Sequence, residues 1–127
     1  MSFKAFNSGC NAICFKKNNI KYGMICAWAQ MIDYDKISMM LGSQSVTGKN
    51  LQIGDIVGVC SLAKHQKNVA LALGDNHSDE IDKFTELNYK EDKTAIIIND
   101  SKNEMICRVI DIIHFDFCKE DNFIILE

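Results

Sequence analysis

The chain has 127 residues, of which 47% are hydrophobic and 24% charged, and its formal net charge is −3. This length and composition are ordinary for one globular domain with one core, so we expect residues 1–127 to form a single domain. The acidic balance excludes the basic footprint of a nucleic-acid-binding protein, and no apolar run approaches the roughly 20 residues that cross a membrane.

The N-terminal residues Met1–Lys4 lack the apolar stretch of a signal peptide, so we expect a cytoplasmic protein. Farther along, short apolar runs separated by polar turns predict mainly β structure. The predicted strands are residues 10–15, 22–29, 36–41, 54–61, 94–99, 104–117 and 122–126. The predicted connections include the polar stretches 16–19, 33–35, 100–103 and 119–121, of which 100–103 is expected to close a hairpin.

Residues 62–73 depart from the strand pattern and place apolar side chains on one helical face. Ser61 is the candidate N-cap of this helix and Gly74 its candidate left-handed end. A loop over 75–80 leads to a short helical turn around residues 82–84. Gly58, inside a predicted strand, indicates a bulge or a close approach of another backbone. These elements predict a mainly β protein, a small antiparallel barrel with one or two short helices, rather than a parallel α/β sheet.

Six cysteines raise the question of a disulfide or metal site. Cys10 and Cys14 are the only close pair, and no second close pair completes a zinc site. Cys26, Cys60 and Cys107 each lie in apolar runs, where a free thiol of a cytosolic protein behaves as a small buried hydrophobe. We therefore predict no metal site.

The segment Gly42–Asn50, GSQSVTGKN, is rich in groups that hold a phosphate. Hydroxyls, the backbone amides of glycines and the ammonium of Lys49 all suit that task. The segment is not the P-loop of nucleotide triphosphatases, because five residues separate Gly42 from Gly48 and Asn50 follows the lysine. By composition alone, it fits both a phosphate-binding loop and an ordinary polar surface loop.

The preceding segment, YGMICAWAQ, is nearly all apolar and contains Trp28, the single tryptophan of the chain. Its plainest interpretation is a buried barrel strand, which implies no ligand. A flat apolar heterocycle can also lie against such a strand, held by backbone amides along its edge. The strand and the phosphate-type loop together indicate a ligand site more strongly than either segment does alone.

Taken in order, YGMICAWAQMIDYDKISMMLGSQSVTGKNL, then GDIVGVCSLAK, a short helix and DEIDKF resemble the flavin reductase-like family. Members of that family carry a strand that ends in a small residue and Trp, and then a strand leading into a Ser/Thr loop. A further strand, a helix and a DKF-like segment follow in the same order. The resemblance covers roughly residues 8–118 and lies in the order and spacing of these segments.

The resemblance implies an FMN-binding split β-barrel of the Greek-key type, commonly a homodimer with flavin sites near the subunit interface. Residues that would line the isoalloxazine and ribityl chain are Met24, Ile25, Cys26, Ala27 and Trp28. Residues that would surround the phosphate are Ser43, Gln44, Ser45, Thr47, Gly48 and Lys49. Residues that would approach the flavin from a covering loop are Asp82, Lys83 and Phe84.

Two features depart from the family pattern. Many relatives have an arginine in the phosphate loop where this sequence has Ser45, so Lys49 or a residue of a second subunit would supply the positive charge. The chain is also shorter than many relatives, which implies a reduced or more open nicotinamide site.

The leading hypothesis is an oxidoreductase in which bound FMN accepts hydride from NADH or NADPH and passes electrons to flavin or another acceptor. No catalytic nucleophile–base pair is predicted, and none is needed, because a flavin carries out hydride transfer itself. The second hypothesis is a non-enzymatic FMN-binding electron-transfer protein without a nicotinamide site. The third is a cofactor-free dimeric β-barrel used for interaction or for sensing through Cys10 and Cys14.

Overall fold

The computed structural model describes residues 10–26, 28–42, 46–74 and 82–127. The strands of this part are β1 (Asn11–Lys17), β2 (Ile20–Cys26), β3 (Ala29–Asp33), β4 (Lys36–Leu41), β5 (Ile56–Ser61), β6 (Tyr89–Asp92), β7 (Ala95–Ile98), β8 (Asn103–Phe115) and β9 (Cys118–Leu126). Its helical elements are α1 (Val46–Lys49), a 3-10 turn (Lys64–Gln66) and α2 (Lys67–Gly74). The predicted mainly β architecture with short helices is confirmed.

The strands pair antiparallel in the order β3-β4-β9-β8-β5-β1-β7-β6, and β2 pairs with β1 outside that path. Side chains of β2 and β3 meet those of β1, β4, β5, β8 and β9 in one buried cluster, as they do in the interior of a barrel. The barrel is nevertheless open: among the described strands, the consecutive β2 and β3 pair with β1 and β4 respectively and not with each other. The opening between β2 and β3 is called the split below.

A tight turn of two asparagines joins β1 to β2. Asn18 and Asn19 have φ angles of 53° and 65°, in the left-handed region that asparagine tolerates better than most residues. Two consecutive positive φ values are typical of the hairpin turn whose twist matches that of the strands. The predicted turn 16–19 is thus confirmed in its second half, whereas Lys16 and Lys17 extend β1.

Two buried clusters lie on opposite faces of β1, because successive residues of a strand point to opposite sides. Ile13 and Phe15 face the barrel interior. Ala12 and Cys14 face a second cluster, which lies beneath α2 and includes Phe84. β1 is therefore the strand on which the barrel and the helical side are both built.

Gly58 lies where β5 passes closest to β7. A Cβ atom added to Gly58 would be 2.0 Å from the carbonyl oxygen of Ile96 and 2.9 Å from Cδ1 of Ile97. The pairing of β5 with β8 runs through this position without a register shift, and the pairing of β5 with β1 ends at it. The predicted close approach of another backbone is therefore confirmed, and there is no bulge at Gly58.

The predicted strand 22–29 proves to be parts of two strands. β2 ends at Cys26 and β3 begins at Ala29. The carbonyl of Trp28 already accepts a hydrogen bond of 2.9 Å from the Met40 amide of β4. The apolar run shows no break where the chain passes from β2 to β3, because strands on both sides of the split bury side chains in the same core.

β6 was missed for a different reason: its residues are mostly exposed and charged, which is untypical of a strand.

The predicted helix over 62–73 is confirmed only in its second half, as α2. Ser61 is not its N-cap, because Ser61 ends β5 and its hydroxyl donates to Oδ1 of Asn11 at 3.1 Å. Gly74 is the last residue of α2 and lies outside the left-handed region, so the predicted left-handed end is wrong. Neither α-helix of the described residues combines the length and the apolarity that crossing a membrane requires.

The predicted hairpin turn 100–103 is wrong. It connects β7 to β8, but β7 pairs with β6 and β1, whereas β8 pairs with β5 and β9. β8 and β9 do form a hairpin, and their turn lies at residues 116–117 rather than at the predicted 119–121.

Candidate functional site

The split collects the first group of predicted site residues. Met24, Ile25 and Cys26 end β2, and Trp28 follows just before β3 begins. Met24 packs against the barrel core, and Ile25 packs against the second cluster on the other face of the strand. Ala27, predicted to belong with them, lies outside the described residues.

Cys26 is buried at the end of β2, where its thiol has two acceptors. Its Sγ atom lies 3.4 Å from the carbonyl oxygens of both Trp28 and Met40. Burial raises the pKa of the Cys26 thiol, although both hydrogen bonds act to lower it. Because a neutral buried thiol is a poor nucleophile, Cys26 shapes the split rather than reacting there.

Two buried polar side chains fix the end of β2 from the side of β1 and β5. The Asn11 amide donates from Nδ2 to the carbonyl of Cys26 at 3.3 Å. The Ser61 hydroxyl donates in turn to Oδ1 of Asn11 at 3.1 Å. Asn11 is fully buried, so these bonds are shielded from water.

Trp28 stands at the mouth of a groove on the outer surface of β3, β4 and β9. Its side chain is 71% exposed. The groove has a volume of about 520 Å³, within the usual range of small-molecule sites, and most of its lining is apolar. Its lining residues are Trp28, Ala29, Gln30, Ile32, Ser38, Met40 and Phe123. The arrangement offers a flat aromatic surface beside an apolar recess.

α1 carries part of the second predicted group and contacts β2. Thr47 and Gly48 are buried, whereas the side chain of Lys49 is exposed. The Asn122 side chain donates from Nδ2 to the carbonyl of Gly48 at 2.9 Å, which ties α1 to β9. The other residues predicted to hold a phosphate, Ser43, Gln44 and Ser45, lie outside the described residues.

The third predicted group packs against the face of β2 that points away from the barrel core. The Asp82 carboxylate pairs with the Lys21 ammonium at 2.9 Å, which lowers the pKa of Asp82 and raises that of Lys21 to about 12. Lys83 and Phe84 are buried against Gly23 of the same strand. The three residues buttress β2, and none of them lines the groove.

Sequence reasoning missed the groove residues on β3, β4 and β9. One signal was available in β9, where Phe123, Ile124, Ile125 and Leu126 are consecutive apolar residues. Such a run is typical of a strand that is covered on both faces. Ile124 and Leu126 face the barrel core, so Phe123 and Ile125 make the outer surface of the same strand apolar.

No family model matches the sequence, and no curated protein matches it either. Solved structures do match. Flavoredoxin from Methanosarcina acetivorans superposes with a TM-score of 0.79 at 15% identity, over 93% of this chain and 64% of that protein. The NADH:FAD oxidoreductase of Streptomyces globisporus gives 0.78 at 15% identity, over 93% and 71%. That oxidoreductase has also been solved with NAD and FAD fragments.

A third match is a protein from Shewanella frigidimarina of the flavin reductase type with a split barrel domain. It superposes with a TM-score of 0.80 at 14% identity, over 98% of this chain and 69% of that protein. Identities this low show the fold alone. The chain has the flavin reductase-like split-barrel fold.

Proposed function

We propose that the protein binds FMN at the split and acts as a flavin reductase-like oxidoreductase, with electrons passing from NADH or NADPH to flavin or another acceptor. Support comes from the proteins that share its fold at TM-scores of 0.73–0.80, among them a flavin reductase and an NADH:FAD oxidoreductase. The observation in this chain that carries the proposal is the exposed Trp28, which lies between β2 and β3; α1 contacts β2.

The residues at the split and in the groove beside it suit an isoalloxazine ring. Trp28 offers a flat π surface, and Met40 beside it is a polarisable thioether that adapts to a ring. A bound flavin supplies the hydride-accepting chemistry. The proposed task of β2 is to orient the ring and exclude water from one of its faces, through Met24–Trp28 and the backbone between them.

The phosphate of FMN is proposed to lie at the loop that leads into α1. Lys49 is exposed and is the cationic side chain of that helix. We propose that its ammonium supplies the charge that an arginine supplies in many relatives, together with Ser43, Gln44, Ser45, Thr47 and Gly48. A charge-assisted hydrogen bond to a phosphate contributes about 1.5–3 kcal/mol.

Trp28→Ala is expected to weaken FMN binding about tenfold, because stacking of a flat ring on an aromatic side chain contributes about 1–3 kcal/mol. The dissociation constant is measured by quenching of FMN fluorescence on titration with protein. Tyr34→Ala is the matched control: Tyr34 is an 80% exposed aromatic residue in the turn between β3 and β4 and should not matter.

Two results would count against this proposal in different ways. Wild-type protein that takes up no FMN would refute FMN binding altogether. Equal affinities of the wild type and Trp28→Ala would leave binding intact and refute the placement of the ring at Trp28.

The non-enzymatic electron-transfer protein is the second candidate function. The observation that favours it is the fold shared with a flavoredoxin, at a TM-score of 0.79; the chain spans 64% of that protein. Both candidates bind FMN, so binding does not separate them. The absorbance of NADH or NADPH measures its oxidation. Oxidation that depends on added flavin would favour the reductase.

A protein that stays colourless and ignores FMN would favour the third hypothesis, a cofactor-free interaction or sensing module. In that case sensing would fall to Cys10, which is exposed. Cys14 is fully buried, and burial raises the pKa of its thiol well above the usual value. The cytoplasmic location and the lack of nucleic-acid or membrane partners stay predictions.

We further propose that the outer surface of β3, β4, β8 and β9 forms a homodimer interface. Met40 and Phe123 are a cross-strand pair on this surface, and the Phe115 ring lies 5.1 Å from that of Phe123. Phe117, stacked on Phe115 at 5.4 Å, is 83% exposed. An apolar surface of this kind is typical of a protein–protein contact.

Phe123→Glu is expected to convert a wild-type dimer into a monomer, because the substitution buries a charge in the proposed interface. Sedimentation velocity measures the change. Ile53→Glu, at an exposed apolar residue of the turn before β5, should leave the dimer unchanged. A monomeric wild type that still binds FMN would contradict the proposed interface and leave the flavin proposal standing.

A further inference from the structure

A buried lysine fastens β2 to α2. Lys83 is only 8% exposed, and its ammonium donates hydrogen bonds of 2.8 Å to two carbonyls. One is that of Gly23 in the middle of β2, and the other is that of Leu73 in the last turn of α2. Burial lowers the pKa of the Lys83 ammonium, which reflects the free-energy cost of holding a charge there. A lysine is rarely buried in this way.

The side chains around Gly23 also pack closely against its backbone. A Cβ atom added to Gly23 would lie 2.7 Å from Cζ of Phe84 and 2.8 Å from Cδ2 of Leu73. Both side chains therefore rest directly on the backbone of β2. The ion pair between Asp82 and Lys21 adds an exposed attachment two residues earlier in the strand.

β2 is an edge strand of the open barrel, as β3 is on the other side of the split. Among the described strands β2 pairs with β1 alone, and its other edge pairs with no described strand. That edge borders the split. The carbonyl held by Lys83 belongs to the residue just before Met24, where the lining of the split begins.

We propose that Lys83 is a positioning residue for the flavin: by holding the carbonyl of Gly23, it sets where the end of β2 presents its backbone to the ring. The inference rests on the proposed function, in which the flavin lies along Met24–Trp28. Lys83 itself is buried on the far face of β2 and acts through the strand.

Lys83→Met tests this role, because methionine keeps an apolar stem and removes the three donors. The FMN dissociation constant is expected to rise about tenfold, and the absorbance bands of bound FMN should move towards those of the free flavin. Lys83→Arg keeps a charged donor and should recover most of the affinity. Lys21→Met is the matched control: it removes the ion pair with Asp82 and the contact of the Lys21 ammonium with the Tyr89 ring, and it leaves Lys83 in place. The constant should change less than about twofold.

The outcomes separate this role from the proposed function. If the wild type binds FMN and Lys83→Met binds it with the same constant and the same spectrum, the positioning role is refuted and the proposed function stands. If the wild type binds no FMN, both are refuted. A weaker Lys83→Met whose bound spectrum equals that of the wild type would show a loss of stability only and would also refute positioning.

A second variant covers the case in which Lys83→Met does not fold. Lys83→Gln keeps a polar side chain but is shorter and lacks the ammonium that holds the carbonyls of Gly23 and Leu73. The same shift of the bound spectrum is expected from it, and an unchanged spectrum would refute the role.

Discussion

Gly58→Ala is expected to lower the free energy of unfolding by at least about 3 kcal/mol. This is a large share of the roughly 5–15 kcal/mol by which an ordinary domain is stable. The new methyl group would lie 2.0 Å from the carbonyl oxygen of Ile96, whereas carbon and oxygen atoms in close contact are about 3.3 Å apart. Because the obstructing atom belongs to the backbone, no side-chain rotation relieves the clash. β5 and β7 must move apart, which disturbs the second cluster between β1 and α2.

Urea unfolding followed by far-ultraviolet circular dichroism measures this loss. Fluorescence of Trp28 is a poor probe, since that side chain is already 71% exposed in the folded protein. Gly74→Ala is the matched control, because a Cβ atom added to Gly74 meets nothing within 4 Å. It is expected to leave stability unchanged or to raise it by up to about 1 kcal/mol. Equal unfolding midpoints for Gly58→Ala and the wild type would contradict the close approach at Gly58.

The protein is expected to lose stability steeply as the pH rises from 9 towards 11. Cys14, Cys26, Cys60 and Cys107 are buried, and burial raises the pKa of each thiol above 9.0, to about 11 for Cys107. Above pH 9 the unfolded chain releases these protons while the folded chain retains them. The folded state then binds more protons than the unfolded one, so the free energy of unfolding falls with pH.

The size of the loss follows from the same shifts. One pKa unit corresponds to about 1.4 kcal/mol, so Cys107 alone accounts for about 2 kcal/mol by pH 11. Lys83 acts in the opposite direction: its pKa is lowered from 10.5, so deprotonation favours the folded state as the pH rises towards that value. Deprotonation of one lysine stabilises the folded state, whereas that of four thiols destabilises it, so the net effect is a loss of stability as the pH rises.

Thermal unfolding between pH 7 and 11 under reducing conditions measures this dependence, with Cys107→Ala as the test variant. Cys107→Ala should be less stable at pH 7, because it leaves a small cavity, but its stability should fall less between pH 9 and 11. Val109→Ala removes atoms from the same buried cluster without removing a titrating group, so its stability should be lower by a constant amount. If the stability of Cys107→Ala and that of the wild type fall equally between pH 9 and 11, Cys107 does not contribute to the loss of stability.

The strands that could be predicted from sequence are those whose signals are local. β4 was predicted with its observed bounds, because polar residues precede it and Ile37, Met39 and Leu41 alternate with outward residues. β3 was missed because the apolar run from Tyr22 onwards shows no break at the split. The turn at 100–103 has the composition of a hairpin, yet turn chemistry does not specify which strands pair.

The same distinction between local and distant signals applies to the candidate site. Trp28 and Lys49 could be singled out from their own segments, although neither the exposure of Trp28 nor the helix at Lys49 was predicted. The attachment of Lys83 to Gly23, by contrast, joins residues 60 positions apart. The groove likewise needs Phe123 of β9 beside Met40 of β4. No spacing within either segment encodes such a contact, so the contacts of Asp82, Lys83 and Phe84 with β2 could not be predicted. Their approach to a flavin from a covering loop stays a prediction.

The pairing of β4 with β9 also bears on how the chain folds during its synthesis. Ile37 pairs with Leu126, so β4 leaves the ribosome about 90 residues before its partner. At roughly 5–20 residues per second, β4 waits about 5–20 s for β9. The β1–β2 hairpin needs only microseconds to form in that interval. During those seconds β4 has only β3 as a partner, so the nascent chain exposes one edge and the apolar inner side of the β3–β4 hairpin, and this hairpin is where a chaperone would be expected to bind.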